Sequence, residues 1–534
     1  MTRLFRPETL FFLLTWLGLL IAFRERGFYD PGSLWHIKVG EIILDRGMPR
    51  TDPFSYTLAD HPWVPQQWGA EVLMALAHRA GGLDALLLSF ATGVAFLYTL
   101  IFRRCVQNGM GPLLAGGIVG GVLCVGAFHY FVRPHMFTIA FLAWTMMSII
   151  DYERGQATLW RLVGLIPLYV LWVNLHGGVL GGTLTLGLAV AGWVGLWAVR
   201  SLRGEAAAAG PGVGRLATPV DSWRTALVLV AIVAACGLTP FVNPHGLDMI
   251  HTWQRIVGSK VLPQVVNEHK PLDPASPLGL TVLALGGFYL VLLASTLPQW
   301  PRVSWLLPLV WLAFSFQGIR QGPLFAICAA VAIADLWPHT LWYRLLCQYG
   351  DGSTAWDPSN AEEAQRRSSP FGPALLLPAL VVAIAWKLDL HGVEVPVIGS
   401  GWVRLNPDFI PSDLTDDVLD YARRVPPGTP IFNDANLGGY LIYHAPSLKI
   451  FMDDRCELYG DDNIRFYAET MGRPPEELGQ VFEQWAAMYG FERAIILTHP
   501  PGHDRPPIEQ YLATSPRWVE VARGQRAAMY QRVH

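Results

Sequence analysis

Apolar runs of span length alternate with short polar connections through the first 390 residues, and the pattern changes near residue 400. A bilayer's hydrocarbon core is about 30 Å thick and a helix rises about 1.5 Å per residue, so a crossing helix needs roughly 20 apolar residues. On that basis the sequence predicts about eleven spans, near 9–24, 83–102, 112–130, 135–150, 161–175, 178–199, 224–241, 278–297, 303–318, 322–338 and 371–388. The first run follows Arg3 and Arg6, has no small-residue cleavage site and continues into a folded-looking segment. It is therefore read as a retained helix rather than a signal peptide.

Residues 400–534 read differently. Short strand-like runs (PIFN, KIFMD, AIILTH, WVEVA, AAMYQR) alternate with helical patterns such as SDLTDDVLDYARR, where Ser412 or Asp413 would cap the start. The expected fold class is an α-helical polytopic membrane domain over 1–390 followed by a small α/β domain over 400–534. Within the first part, 25–82 is a long first loop and GSTAWDPSNAEEAQRRSSP, 352–370, is a polar linker. In the α/β part, the Gly pair of NLGGYLIYH is expected at a turn and Asp453, Asp454 and Arg455 just past a strand end, where ligand contacts are commonly built. A charge pair closing the domain explains those three residues equally well.

Composition narrows the class. With 52% hydrophobic and 15% charged residues and 21 Trp, the chain is too apolar for a soluble globule. Its net charge of -3 and scattered Lys and Arg exclude a nucleic-acid footprint. The six cysteines lie far apart, without disulfide or metal-ligand spacing. Arg103, Arg104, Arg154, Arg161, Arg200, Arg203, Arg215, Arg302, Arg344, Arg366 and Arg367 all fall in alternate connections. Those connections are read as cytoplasmic, which puts the N-terminus inside and the first loop and the 400–534 domain outside. The expected location is the bacterial cytoplasmic (inner) membrane.

The outer connections carry a different chemistry. They hold Asp30, His36, Lys38, Asp52, Gln67 and Glu71 in the first loop, then Arg133 and His135, Asn174 and His176, Asn243 and His245, and Gln317 and Arg320. Each has a structural explanation. Asp-Pro pairs start helices or turns, Arg133 would snorkel to headgroups, and the His-Gly and Asn-Pro-His-Gly runs are turn sequences. Arg320, however, lies on the wrong side for a topology signal. Ionisable groups gathered at one membrane face are a functional hypothesis by default.

The chemistry they suit is transfer of a group from a lipid-linked phosphate. A carboxylate in the first loop would take a proton from an incoming hydroxyl. Arg133 and Arg320, with His135, would hold the phosphate, because a guanidinium fork matches phosphate oxygens. The remaining polar groups would surround the substrate, and Asp30, Arg133 and Arg320 are expected to converge on one cavity. The amphipathic run LWHIKVGEIILDRG sets Leu34, Ile37, Ile42 and Ile43 against Lys38, Glu41, Asp45 and Arg46. It would lie in the interface and wall off the site.

The succession DPGSLWHIKVGEIILDRGMPRTDPFSYT, HPWVPQQWGAEVLMALAHRAGG, RPHMFT, NLHGG, NPHG, IRQGPLFAI and GGYLIYHAPSLKIFMDDRCELYG resembles bacterial membrane proteins related to the GT-C glycosyltransferases. The likeness covers nearly the whole chain. It implies a polyprenyl-phosphate sugar as donor, a glycan, lipid or protein as acceptor, inversion at the anomeric centre, and Asp30 as catalytic base. Many GT-C members carry an Asp-Glu or Asp-Asp pair where this chain has Asp30-Pro31, and Gln66 and Gln67 stand where an acidic residue is expected beside the Trp. A single site carboxylate and a metal-independent reaction follow, since a hard cation wants several oxygen ligands. A transporter or flippase would instead show internal repeats with broken mid-membrane helices. A non-catalytic envelope scaffold would leave the Arg and His residues of the outer loops without a role.

Overall fold

The computed structural model of the protein describes residues 6–203, 218–299, 301–350, 401–403, 416–499, 503–524 and 526–533, with isolated positions between 355 and 387. Seven helices among these are long and apolar enough to cross a membrane: Pro7–Arg26, Trp68–Gln107, Pro112–His129, Val179–Leu202, Trp223–Phe241, Pro277–Ala294 and Ile319–His339. All seven overlap expected spans. The helix at His135–Glu153 ends in acidic residues, and Trp160–Leu175 and Val303–Ser315 are apolar but short. Segment 371–388 lies almost wholly outside the described residues. Of the eleven expected spans, seven are candidate spans among the described residues of a multi-pass membrane protein.

In chain order the helices are α1 (Pro7–Arg26), α2 (Gly32–Arg46), α3 (Trp68–Gln107), α4 (Pro112–Gly126), α5 (His135–Glu153), α6 (Trp160–Val163), α7 (Leu165–Leu175), α8 (Val179–Leu202) and α9 (Trp223–Gly237). They continue with α10 (Leu247–Gly258), α11 (Leu262–Val265), α12 (Pro277–Ala294), α13 (Val303–Ser315), α14 (Gly322–Leu336) and α15 (Leu341–Tyr349). The centre of the bundle is α14, in which every residue except Leu324 is buried. Its run of alanines explains why. Small side chains let backbones approach closely, and in lipid such packing, rather than hydrophobicity, drives helix association. Around it stand α3, α4, α5, α12 and α13.

Helix α3 has two parts. Gly82 adopts φ 61°, a conformation open to glycine, and the helix kinks there. The part before the kink belongs to the first loop and packs with α2, whose Gly40 would place a Cβ 1.9 Å from the Glu71 carbonyl oxygen. At the bundle's opposite face, buried Asp335 accepts from Arg154 Nη1 at 2.8 Å, Arg302 Nη1 at 3.0 Å and Trp305 Nε1 at 2.7 Å. Arg104 pairs with Asp151 at 2.5 Å. Three of the arginines read as topology signals therefore also clasp helix ends together.

The C-terminal part contains five strands, β1 (Pro430–Asn433), β2 (Lys449–Ile450), β3 (Arg493–Leu497), β4 (Trp518–Arg523) and β5 (Ala527–Arg532), in the order β2-β1-β3-β5-β4. β1 runs parallel to β2 and β3, while β5 is antiparallel to β3 and β4. All five expected strand runs lie in this sheet. Helices α16 (Asp416–Arg424), α17 (Gly438–His444), α18 (Cys456–Met471), α19 (Pro475–Tyr489) and α20 (Pro507–Thr514) complete it. Helix α16 occupies the SDLTDDVLDYARR run, whose expected cap residues lie outside the described residues.

The sheet docks on the first loop, and the expected Gly-Gly turn is instead the start of α17. The reason is close approach. A Cβ on Gly439 would stand 2.3 Å from the Pro31 carbonyl oxygen, and one on Gly438 2.5 Å from Asp453 Cβ. The loop also lies against β2, with Tyr56 N donating to Ile450 O at 3.1 Å and Ile450 N to Phe54 O at 3.2 Å. Leu34, Ile37, Val39 and Gly40 of α2 are consequently buried, and α2 packs against α3 and α17. Gly439→Ala is expected to cost about 1–3 kcal/mol of stability, because overpacking at a backbone contact forces a backbone shift. Thermal unfolding of the purified full chain reads this, and an unchanged midpoint would contradict the docking.

Candidate functional site

The seam between the first loop, the bundle and the C-terminal sheet gathers charged groups. Asp30 precedes α2, and its Oδ1 accepts from the Gly32 N–H at 2.8 Å, occupying one of the helix's free N-terminal donors. Its Oδ2 accepts from Arg133 Nη1 at 2.6 Å, with the two side chains 19% and 21% exposed. Arg133 is set by the turn before α5, where Val132 N donates to Gly27 O at 3.0 Å and so ties that turn to the end of α1. Asp454 comes from the other side. A Cβ placed on Gly32 would meet Asp454 Oδ2 at 2.7 Å, Asp30 Oδ1 at 2.8 Å and Arg133 Cζ at 2.8 Å. Three ionisable groups thus crowd the space of one methyl group. The single carboxylate expected from sequence is corrected to two, because the C-terminal sheet docks close enough to insert its own.

Burial works against the Arg133 charge, but Asp30, Glu268 and Asp454 offset it. Glu268 leads to a second cluster. Its carboxylate lies 3.7 Å from His129 Nδ1 and 3.7 Å from His269 Nε2, and Arg320 Nη1 donates to His269 Nε2 at 2.6 Å. His135 Nε2 donates to the His129 carbonyl at 2.6 Å, and the two imidazoles meet at a tilt with centroids 4.7 Å apart. Asp30, Arg133, His135 and Arg320 are therefore neighbours, linked through His129, Glu268 and His269. Sequence reading passed over those three. The Glu-His pair just after α11 was the available signal, a charged dipeptide on the same face.

Other candidate residues are held elsewhere. Asp52 is buried, where it accepts from Phe54 N, Ser55 N and the Ser55 hydroxyl, and its Oδ1 takes Arg455 Nη1 at 2.7 Å. Asp453 accepts from Arg455 Nε at 2.9 Å and Nη2 at 2.6 Å. Arg455 stacks over Trp63 and Phe54, so Asp52, Asp453 and Arg455 form a clamp between loop and sheet. Lys38 pairs with Glu41 at 2.8 Å. Asn174 accepts from Trp68 Nε1 at 2.8 Å, donates to the carbonyls of Val170 and Val242, and meets Asn243 Nδ2 at 3.4 Å. His176 Nδ1 accepts from Gly178 N at 3.0 Å. Gln67 caps α3 with its carbonyl, and Gln317 is exposed. His245 lines a cleft with Arg50, Pro62, Trp63, Val64, Asp248, His251 and Arg255, and Asp30 is not part of that lining. Asp30, Arg133 and Arg320, expected to converge, share the seam described above.

His36, on α2, is fully buried and its Nδ1 lies 2.9 Å from Glu71 Oε1. Burial, then Arg133, pushes its imidazole well below the usual range near 6.5. Burial lowers His245, His269 and His444 to about 4. A histidine kept neutral in the fold but free to charge when unfolded binds more protons in the unfolded state, so stability is present above about pH 6.5 and is lost as pH falls below it. His36→Gln is expected to reduce the slope of stability between pH 6 and 5 by about 1.4 kcal/mol per pH unit. Thermal unfolding across that range checks it, and an identical slope would mean that His36 is charged in the fold.

The helical bundle, the long helical first loop and the C-terminal mixed sheet together make up a fold shared with solved membrane proteins. Over 98% of each chain the protein is similar to ArnT from Cupriavidus metallidurans bound to undecaprenyl phosphate, with a TM-score of 0.51 and 12% identity. It is also similar to the Archaeoglobus fulgidus oligosaccharyltransferase tethered with an acceptor peptide containing the NVT sequon, over 91% of this chain and 68% of that one, with a TM-score of 0.50 and 11% identity. At such identities the likeness is one of fold. No family model and no curated protein matches the sequence.

Proposed function

We propose that the chain is an integral-membrane glycosyltransferase moving a sugar from a polyprenyl-phosphate donor to a glycan, lipid or protein acceptor. The observation that carries this reading is the Asp30–Arg133 pair, joined at 2.6 Å in the seam beneath the C-terminal sheet of a GT-C fold. Asp30 is the base. Each of its oxygens accepts one bond and keeps a second lone pair for the acceptor's proton. Arg133 gives Nη1 to Asp30 and offers the rest of its fork to phosphate oxygens, with Arg320 and His135 nearby. The solved ArnT structure holds undecaprenyl phosphate, which fits a phosphate site of this kind. The seam lies opposite the face where Arg104, Arg154 and Arg302 gather, so reaction on the outer side of the bacterial cytoplasmic membrane agrees with the positive-inside rule.

The test is the fate of the donor in proteoliposomes. Cleavage of a polyprenyl-phosphate sugar, with the sugar appearing on an acceptor and free polyprenyl phosphate left behind, is the expected result. Translocation of the intact lipid without cleavage would make the chain a flippase instead.

A further inference from the structure

We propose that the C-terminal sheet supplies the second carboxyl group of the reaction: Asp454 holds a proton beside Asp30 and gives it to the departing phosphate. This rests on the transferase reading above. Geometry supports it first. Asp454 Oδ2 and Asp30 Oδ1 both border the space a Cβ on Gly32 would fill, with the Arg133 guanidinium on the same space. Asp454 stays outside the neighbouring clamp, since Arg455 is bonded to Asp52 and Asp453. Its Oδ1 is withdrawn from solvent with no hydrogen-bond partner among the described residues. A buried polar atom in that state calls for a partner, and a bound phosphate oxygen would be one.

Electrostatics divides the labour. Two carboxylates at close range resist ionising together. Arg133 bonds directly to Asp30, so the proton settles on Asp454. Burial, and then the Asp30 charge, push Asp454 up to about 8, with Asp453 adding to the rise and Arg133 opposing it. Environments that drive two carboxyl groups apart in this way separate base from acid.

The step balances. The acceptor oxygen forms its bond to the sugar's anomeric carbon as the bond from that carbon to the phosphate oxygen breaks. The acceptor's proton passes to Asp30, and the Asp454 proton passes to the released phosphate. A proton shift from Asp30 to Asp454 then restores the pair, so the net movement is one proton from acceptor to leaving group.

The experiment uses the full chain in nanodiscs with two readouts. Infrared difference spectra near pH 7 should show a protonated-carboxyl stretch that is lost in Asp454→Asn, shifted in Asp454→Glu, and also lost in Asp30→Asn, where the neighbouring charge is gone. A purely structural Asp454 would not respond to Asp30→Asn. In turnover of a polyprenyl-phosphate sugar, Asp454→Asn should lower kcat roughly 10²-fold with little change in KM. It should also abolish the fall in rate above about pH 8, which Asp454→Glu restores. No protonated-carboxyl band from Asp454 overturns the proposal, as does an Asp454→Asn enzyme with the wild-type rate and pH profile. Both results leave the transferase reading standing. A wild type that cleaves no donor overturns that reading and the proton transfer with it.

Discussion

Asp30→Asn is expected to abolish sugar transfer, by roughly 10³-fold or more, while the protein still folds and still binds polyprenyl phosphate. General-base catalysis by a positioned carboxylate contributes about 10²–10⁴-fold. The change also removes the charge that Arg133 faces at 2.6 Å. Arg133, released from Asp30, keeps its fork for a phosphate, so binding and turnover part company in this variant. Asparagine keeps the side-chain oxygen that accepts from Gly32 N–H, and the start of α2 should survive. Lipid binding by native mass spectrometry, read beside donor cleavage, separates these effects. Loss of both together would mean that Asp30 is a structural cap and nothing more.

The largest effect on stability is expected at Arg455. Its side chain is fully buried and joins Asp52 of the first loop to Asp453 of the sheet at 2.7 and 2.6 Å. Replacing it by Met leaves two buried carboxylates with their charge partner gone. Breaking a buried ion cluster on one side typically costs about 3–5 kcal/mol, whereas replacing the whole cluster by neutral groups is far milder. Arg455→Met should therefore lower the unfolding midpoint sharply, and adding Asp52→Asn and Asp453→Asn should recover part of the loss. Thermal unfolding of the single and triple variants measures this. A single variant as stable as wild type would show that the loop and sheet do not depend on the clamp.

Local pattern made much of this architecture readable. Long apolar runs located the seven candidate spans, and short strand-like runs located the five strands, because each of those signals lies within a few consecutive residues. Contacts between distant segments were not readable. The two Asp-Pro pairs of the first loop look alike in sequence, yet Asp30 faces Arg133 and Asp52 faces Arg455. Nothing local distinguishes them. The Gly pair at 438–439 has turn composition, but its role is to admit Pro31 and Asp453 at distances that exclude a side chain, and this depends on docking across the chain. Asp454 reaches the seam for the same reason. Glu268 and His269 follow α11, two helices beyond the Asn-Pro-His-Gly run that drew attention, while His245 of that run lines a separate cleft. Asn174, read as a substrate donor, spends its amide on Trp68 and two carbonyls, satisfying backbone groups at helix ends.

The central claim is that this seam breaks the bond between a sugar and a polyprenyl phosphate. The most direct measurement is sugar release from a panel of radiolabelled polyprenyl-phosphate sugars by the purified protein in nanodiscs, with a crude envelope extract as acceptor source and Asp30→Asn as the matched blank. The account predicts that at least one donor loses its sugar to the wild type and none does to the variant. Equal release by both proteins would contradict it.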